Sequence, residues 1–403
     1  MKSVNKAISQ QIIIRPPYIT PTYPVPNRFM TTQQERSDAY LRALAELPNQ
    51  PPRIDRTERQ FSDVDAATKF VESRGHKLSP LLKPLIEQPR FEQHSPEWFA
   101  ARRLSLTAST FGAACNNAEY GNPLEVFKNK CETNRGPITS SRALEYMAWG
   151  THYEDAAAHK FEQETGELIL DFGLISHHRL FEMRPPETSV LDWHNLIHSD
   201  ERPECISEEQ WQEILSLRFV KGSPDGITAS GCVIEIKCPK TQIDHTKIKR
   251  MYLHQLLLNM AIAGAETGYF IQYRPRENAF FGEEYSCQVV KMPEGWFTEE
   301  TKQAHDLTWS KIMEFKKTGV IPEPFASKIQ LVEGLGEVIK FESKRKRKTT
   351  LKPVADEKTT ETLKRSIDPC VFSDDPDDGQ PLLKKKVLAA DSECEVKEIN
   401  LLI

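Results

Sequence analysis

Asp225, Glu235 and Lys237 are the residues whose types and spacing could do chemistry together. They stand in Gly222-Ser223-Pro224-Asp225-Gly226 and in Val233-Ile234-Glu235-Ile236-Lys237-Cys238-Pro239, with nine residues between the two acids. Side chains alternate faces along a strand, so Val233, Glu235 and Lys237 share one face while Ile234 and Ile236 serve the other. An acid and a base two residues apart in an apolar strand are costly to bury unless something compensates them. A divalent cation would do so, and Asp225 in the preceding turn is placed to supply a second carboxylate. Few hard oxygen ligands, with positions left for water and phosphate, are what Mg²⁺ prefers. Lys237 on the same face could orient or deprotonate a water, or stabilise charge developing on phosphorus. Pro-Asp-Gly by itself is a common turn, and Glu235 with Lys237 could be a plain ion pair. The complete array inside an apolar strand is what points to an active site.

Several elements must position these groups. Hydrophobic periodicity predicts a long helix from about Ser141 to Glu164, ended by Gly166, and a strand over Leu168–Ser176. Further strands are expected at about 217–221, 232–237, 267–274 and 284–291, with helices at 247–263 and 295–317. Ser95-Pro96-Glu97 and Asn122-Pro123 read as helix starts. The pattern predicts an α/β (α+β) fold, a mixed sheet flanked by helices. Residues 1–30 read as an extended Pro-rich arm. A helical extension follows over 31–90, carried by Tyr40, Leu41, Leu44 and Leu47 and by Val64, Ala67, Phe70 and Val71, with Gly75 as a cap. The main domain is expected over 91–322, with a polar insertion at about 182–216. Residues 323–403 read as a disordered charged tail, with the basic run Lys344–Lys348 and an acidic block at Asp374, Asp375, Asp377 and Asp378.

Composition bounds the function. The chain has 403 residues, 53 basic and 58 acidic, for a net charge of −5, so no global field draws polyanions and nucleic-acid binding must come from local patches. Ile236–Arg276 is such a patch: seven basic residues face Asp244 and Glu266, and Lys247, Lys249 and Arg250 open a helix where they could hold backbone phosphates. Eight scattered cysteines with no C-x-x-C pair argue against a zinc ribbon or a disulfide framework. The longest apolar run, Leu256–Ala265, is interrupted by Asn259 and is too short to span a bilayer.

The array resembles the PD-(D/E)xK nuclease signature, and the wider pattern is similar to the phage-lambda-type exonuclease, or YqaJ viral recombinase, family. Over about residues 94–317 the motifs occur in the family's order. Trp98-Phe99-Ala100-Ala101-Arg102, followed by Thr107-Ala108-Ser109, resembles the opening W-x3-R-x4-TAS, and Ala148-Trp149-Gly150-Thr151-His152-Tyr153-Glu154 resembles its WG helix. Ser223–Gly226, Glu235–Pro239 and Tyr252-Leu253-His254-Gln255 follow. The resemblance implies a restriction-endonuclease-like core and a Mg²⁺-dependent DNA nuclease, with Mn²⁺ as a substitute. It implies 5′-to-3′ exonuclease action on double-stranded ends in recombination, repair or replication. A structure-selective or nonspecific endonuclease, or a catalytically idle binding module, are the rival readings.

Carried over residue by residue, the resemblance makes Asp225, Glu235 and the Ile236 main-chain carbonyl the metal ligands. Lys237 becomes the catalytic lysine, Glu154 an additional acid and Gln255 a contact to water or substrate. Arg102, Ser109 and Ser223 would bind a terminal 5′-phosphate. Arg103 is expected in solvent, and Trp98 and Trp149 in the core. One departure matters: a second pocket arginine is Ile243 here, which cannot neutralise a phosphate, and Lys240, Lys247 and Arg250 are the candidates to replace it. Partners implied are DNA, a single-strand annealing protein and further copies of the chain, with no membrane. The Lys344–Lys348 run suggests nuclear import, and the cytoplasm otherwise.

Overall fold

The structure is a computed structural model and describes residues 29–30, 33–47, 52–91, 96–133, 139–199, 201–275, 284–332, 338–344 and 397–399. Residues 1–28 of the expected Pro-rich arm (1–30), most of the Lys344–Lys348 run and the acidic block lie outside the described residues. Among the described residues no helix is long and apolar enough to cross a membrane.

A mixed six-stranded sheet organises the molecule, in the order Lys397–Ile399, Glu284–Lys291, Thr267–Arg274, Val233–Lys237, Gly226–Thr228 and Ile169–Leu170. Val233–Lys237 runs parallel to Thr267–Arg274 and antiparallel to Gly226–Thr228. The parallel pair needs a crossover, and the Arg250–Ala263 helix provides it. A smaller sheet joins Leu106–Thr107, Val220–Gly222 and Ile175–Ser176.

The alternation of Val233–Lys237 decides which helix covers which face. Ile234 and Ile236 pack with Ile271 and Tyr273 against Trp149, Tyr153 and Phe161 of the Ser141–Thr165 helix. Val233 joins Phe270 and Val290 under Leu256 and Met260 of the crossover helix. Burying each such side chain contributes about 1.5–3 kcal/mol, so a one-residue slip that exchanged the two faces would expose apolar groups on both sides.

The expected strand over 168–176 is instead two short ones, Ile169–Leu170 and Ile175–Ser176, which join different sheets. Gly173 sits between them at φ +64°, a backbone form that favours glycine and turns the chain. Residues 182–216 read as polar, yet Val190–Ile197 and Glu208–Leu217 form helices capped by Ser189 and Ser207. Trp193, Ile197, Trp211 and Ile214 make a small core of their own there. The folded body also runs past residue 322. Phe325, Ile329 and Phe341 are buried, and Phe325 and Phe341 pack on Phe127.

The N-terminal segment is fastened to the domain at many points. Ser79 N donates to Ala229 O at 2.8 Å, and Asp171 N donates to Arg59 O at 3.1 Å. The buried Gln88 side chain both donates to Ser176 O (2.9 Å) and accepts from Ser176 N (2.7 Å). Leu82, Leu85 and Ile86 enter the main core.

Candidate active site

The antiparallel pairing of Gly226 with Ile234 brings the Asp225 turn alongside the end of Val233–Lys237. Asp225 Oδ2 accepts from Ile236 N at 2.7 Å, which fixes the carboxylate at that strand's edge. Glu235 is completely buried. Its Oε1 accepts from Lys237 Nζ in a close ion pair, and its Oε2 accepts from Asn259 Nδ2 at 3.3 Å. Lys237 Nζ also donates to Ile236 O at 3.0 Å and lies 3.8 Å from Asp225 Oδ2. The three groups expected to converge therefore do so, with the ammonium between both acids.

Glu154 comes from the Ser141–Thr165 helix. Arg56, from the N-terminal segment, bonds Glu154 Oε1 at 3.2 Å and pairs closely with Asp155 and with the main-chain oxygen of Asp225. On the other side of the sheet, Tyr252, Gln255 and Asn259 recur at i, i+3 and i+7 on the crossover helix and so share a face. Tyr252 lies under Lys237, with Nζ 5.3 Å from its ring centre, and Asn259 holds Glu235. Half-buried Gln255 stands between them. A Cβ at Gly222 would meet Asn259 Oδ1, so any larger residue there would push the Asn259 side chain aside.

The electrostatics show an excess of acid. Burial, with Asp225 beside it, pushes the Glu154 carboxyl up to about 8. Burial likewise raises Glu235 to about 8, against the opposing effect of Lys237. For Lys237, burial favours the neutral amine, but Glu235, Asp225 and Glu154 outweigh it and hold the ammonium above its ordinary range. Four acids (Glu154, Asp155, Asp225 and Glu235) thus face two bases (Arg56 and Lys237). One divalent cation would balance that difference, and the oxygen-only donor set suits a hard ion such as Mg²⁺. Among the described residues no group of three or more His, Cys, Asp and Glu side chains forms a ready metal cage. The oxygen donors that lie together there are those of Asp225, Glu235 and the Ile236 carbonyl.

Next to these groups lies a cavity of about 540 Å³, which Ser223, Asp225, Glu154 and Trp98 line together. Arg102 is half-buried, with its guanidinium 4.5 Å from the Trp98 ring and Nη2 3.4 Å from Ser109 Oγ, whereas Arg103 is exposed. Lys130 Nζ donates to Arg102 O at 2.6 Å, at the end of the Pro96–Arg103 helix. Arg102 and Ser109 thus meet beside Trp98, and Trp98 and Ser223 line the cavity, whereas Arg102 and Ser109 are not among its lining residues. Lys240, Lys247 and Arg250 are exposed and do not line the cavity either. Ile243 is buried, so that position is part of the packing.

Sequence reasoning missed Arg56 and Asn259. Nothing local marks Arg56, whose partners are 98, 99 and 169 residues away. Asn259 did carry a signal, as the one polar residue interrupting the run Leu256–Ala265.

A mixed sheet with two carboxylates and a lysine converging at the end of a central strand defines the class: a PD-(D/E)xK-type α/β domain. Residues 97–266 match the model of the YqaJ-like viral recombinase domain. That stretch of the chain is thus similar to a domain of the PD-(D/E)xK superfamily, a group of nucleases and recombinases acting on DNA. Among solved structures it is similar to an alkaline exonuclease from Laribacter hongkongensis and to that protein in complex with dAMP. Identities are 21% and 22%, TM-scores are 0.38 and 0.39, and each match covers 56% of this chain and 98% of the other. None of the curated proteins matches it.

Proposed function

We propose that the chain is a Mg²⁺-dependent deoxyribonuclease that digests double-stranded DNA from its ends in the 5′-to-3′ direction, serving recombination, repair or replication. The observation that carries this reading is the meeting of Asp225, Glu235 and Lys237 beside a cavity that Ser223 also lines. Asp225, Glu235 and the Ile236 carbonyl would hold the ion. Bound there, Mg²⁺ supplies a more acidic water and neutralises phosphate charge.

The chain's own residues do the rest. Asn259 fixes the Glu235 carboxylate so that one oxygen always faces Lys237. Lys237 keeps its proton between Glu235 and Asp225, so it orients the attacking water as a donor and stabilises negative charge growing on the phosphate. Glu154, held by Arg56 through Oε1, stands beside Asp225 as the additional acid of the site. Arg102 with Ser109 and Ser223 offers charge-assisted and hydroxyl donors to a phosphate at a strand terminus. That grouping favours an end-directed enzyme over an endonuclease on the same core.

Linear and covalently closed circular duplexes of one sequence test the choice. Degradation of the linear form alone is expected with Mg²⁺. Cutting of the closed circle would show an endonuclease, and cutting of neither would leave a binding module.

A further inference from the structure

The match to the YqaJ-like domain begins at residue 97, yet one cation of the acidic cluster comes from before it. Arg56 precedes the single turn Thr57–Arg59 and uses all three nitrogens of its guanidinium in the cluster. Nε pairs closely with Asp155, Nη1 with the Asp225 main-chain oxygen, and Nη2 donates to Glu154 Oε1 at 3.2 Å. A planar fork engaged on three sides is fixed in place as well as charged.

The segment around it is fastened along the Ser141–Thr165 helix. Ile54 packs in the core with Trp149 and Tyr153, and its N–H donates to Asp155 O at 3.4 Å. Three residues on from Arg56, Arg59 pairs closely with Glu162, about two turns along that helix from Glu154, and donates to Ile169 O at 3.0 Å. Arg56 therefore holds a positive charge at one position, between the Glu154 side chain and the Asp225 turn.

That position matters for counting ions. Glu235 is already held by Lys237 and Asn259, so a second divalent cation would have to bridge Glu154 and Asp225, where the guanidinium sits. With Arg56 and Lys237 in place, one such cation balances the four acids. A second would leave a largely buried cluster with an excess of positive charge, which is costly. Resting on the nuclease reading, we infer that Arg56 stands in for a second metal ion, so that this chain carries one divalent cation per active site and Glu154 is held by a guanidinium instead of by metal. Arg56 is a positioning residue, acting through Glu154 and the Asp225 turn.

Counting bound Mn²⁺ on the DNA-free protein by electron paramagnetic resonance tests this without turnover. Wild type should hold one ion per chain. Arg56→Gln should hold two, and the double variant Arg56→Gln/Glu154→Gln should return to one. Arg56→Lys, which keeps the charge, should hold one. Arg59→Ala loosens the same segment but leaves the fork on Glu154, so it should also hold one; a second ion there would mean that mere loosening opens the site, against the inference. Two ions on wild type, or one on folded Arg56→Gln, would overturn the inference while Mg²⁺-dependent hydrolysis still stands. Should Arg56→Gln unfold, Arg56→Ala carries the same comparison, and the wild-type count decides by itself if it is two. No bound ion and no hydrolysis in wild type would sink the nuclease reading, and the inference with it.

Discussion

Lys237 and Lys130 are withdrawn from water to a similar degree, and their amines meet opposite fates. At Lys237 burial works against the charge, but Glu235, Asp225 and Glu154 hold the proton in place. At Lys130 burial is reinforced by Arg102, Lys316 and Arg103, and the amine falls to about 7. Lys221 is a third case: burial brings it down to about 8, with the Ser176 hydroxyl at 3.0 Å as its partner. Burial alone therefore does not mark a catalytic lysine. The sign of its neighbours does, and among these three only Lys237 is surrounded by acids. Lys130 has a different task, tying down the end of the helix that carries Arg102.

Removing the charges at one lysine and not the other gives the largest contrast. Lys237→Ala and Asp225→Ala should each lower kcat on linear duplex by roughly 10³-fold, whereas Lys130→Ala should leave kcat within about threefold. A Lys237→Ala enzyme of normal rate would break the comparison. Asn259→Leu should come next, raising the Mg²⁺ concentration for half-maximal activity by about 10- to 100-fold, because Glu235 loses the group that orients it. Arg56→Ala should cost roughly 1–3 kcal/mol in urea unfolding by leaving Glu154 and Asp155 without their partner, an effect that added Mg²⁺ should reduce.

The smallest effect concerns pH. Between about 7 and the ordinary lysine value of 10.5 the unfolded chain binds a proton at Lys130 that the folded chain does not. Stability should therefore rise with pH through that window, by no more than roughly 1.4 kcal/mol per pH unit, and Lys130→Met should lose that slope. Urea unfolding at pH 6.5 and pH 9 measures it, and an unchanged wild-type-minus-variant difference would contradict it.

Where the sequence speaks locally, it was readable. Thr267–Arg274 and Glu284–Lys291 fall where alternation placed them, and the Asp225–Glu235–Lys237 array is legible because one turn and one strand carry all of it. The two-faced burial of Val233–Lys237 also follows from its pattern. The single strand expected over 168–176 failed because its apolar run hid the turn at Gly173. The 182–216 insertion misled because its few large side chains, Trp193 and Trp211 among them, are diluted by polar neighbours yet meet in space. Arg56 and Arg59 were invisible for a different reason: each gains meaning only when the segment before the matched domain docks beside Asp225 and Asp171. Phe325 and Phe341 lie in a stretch whose charge reads as tail, but their rings complete the cluster around Phe127.

Timed digestion of a linear duplex labelled on either the 5′ or the 3′ terminus, with Mg²⁺ or with EDTA, tests the central claim most directly. The account predicts that Mg²⁺ releases the 5′ label as mononucleotide at the earliest times while the 3′ label stays on long fragments, and that EDTA stops both. Intact duplex in Mg²⁺, or equal loss of label in EDTA, would contradict it.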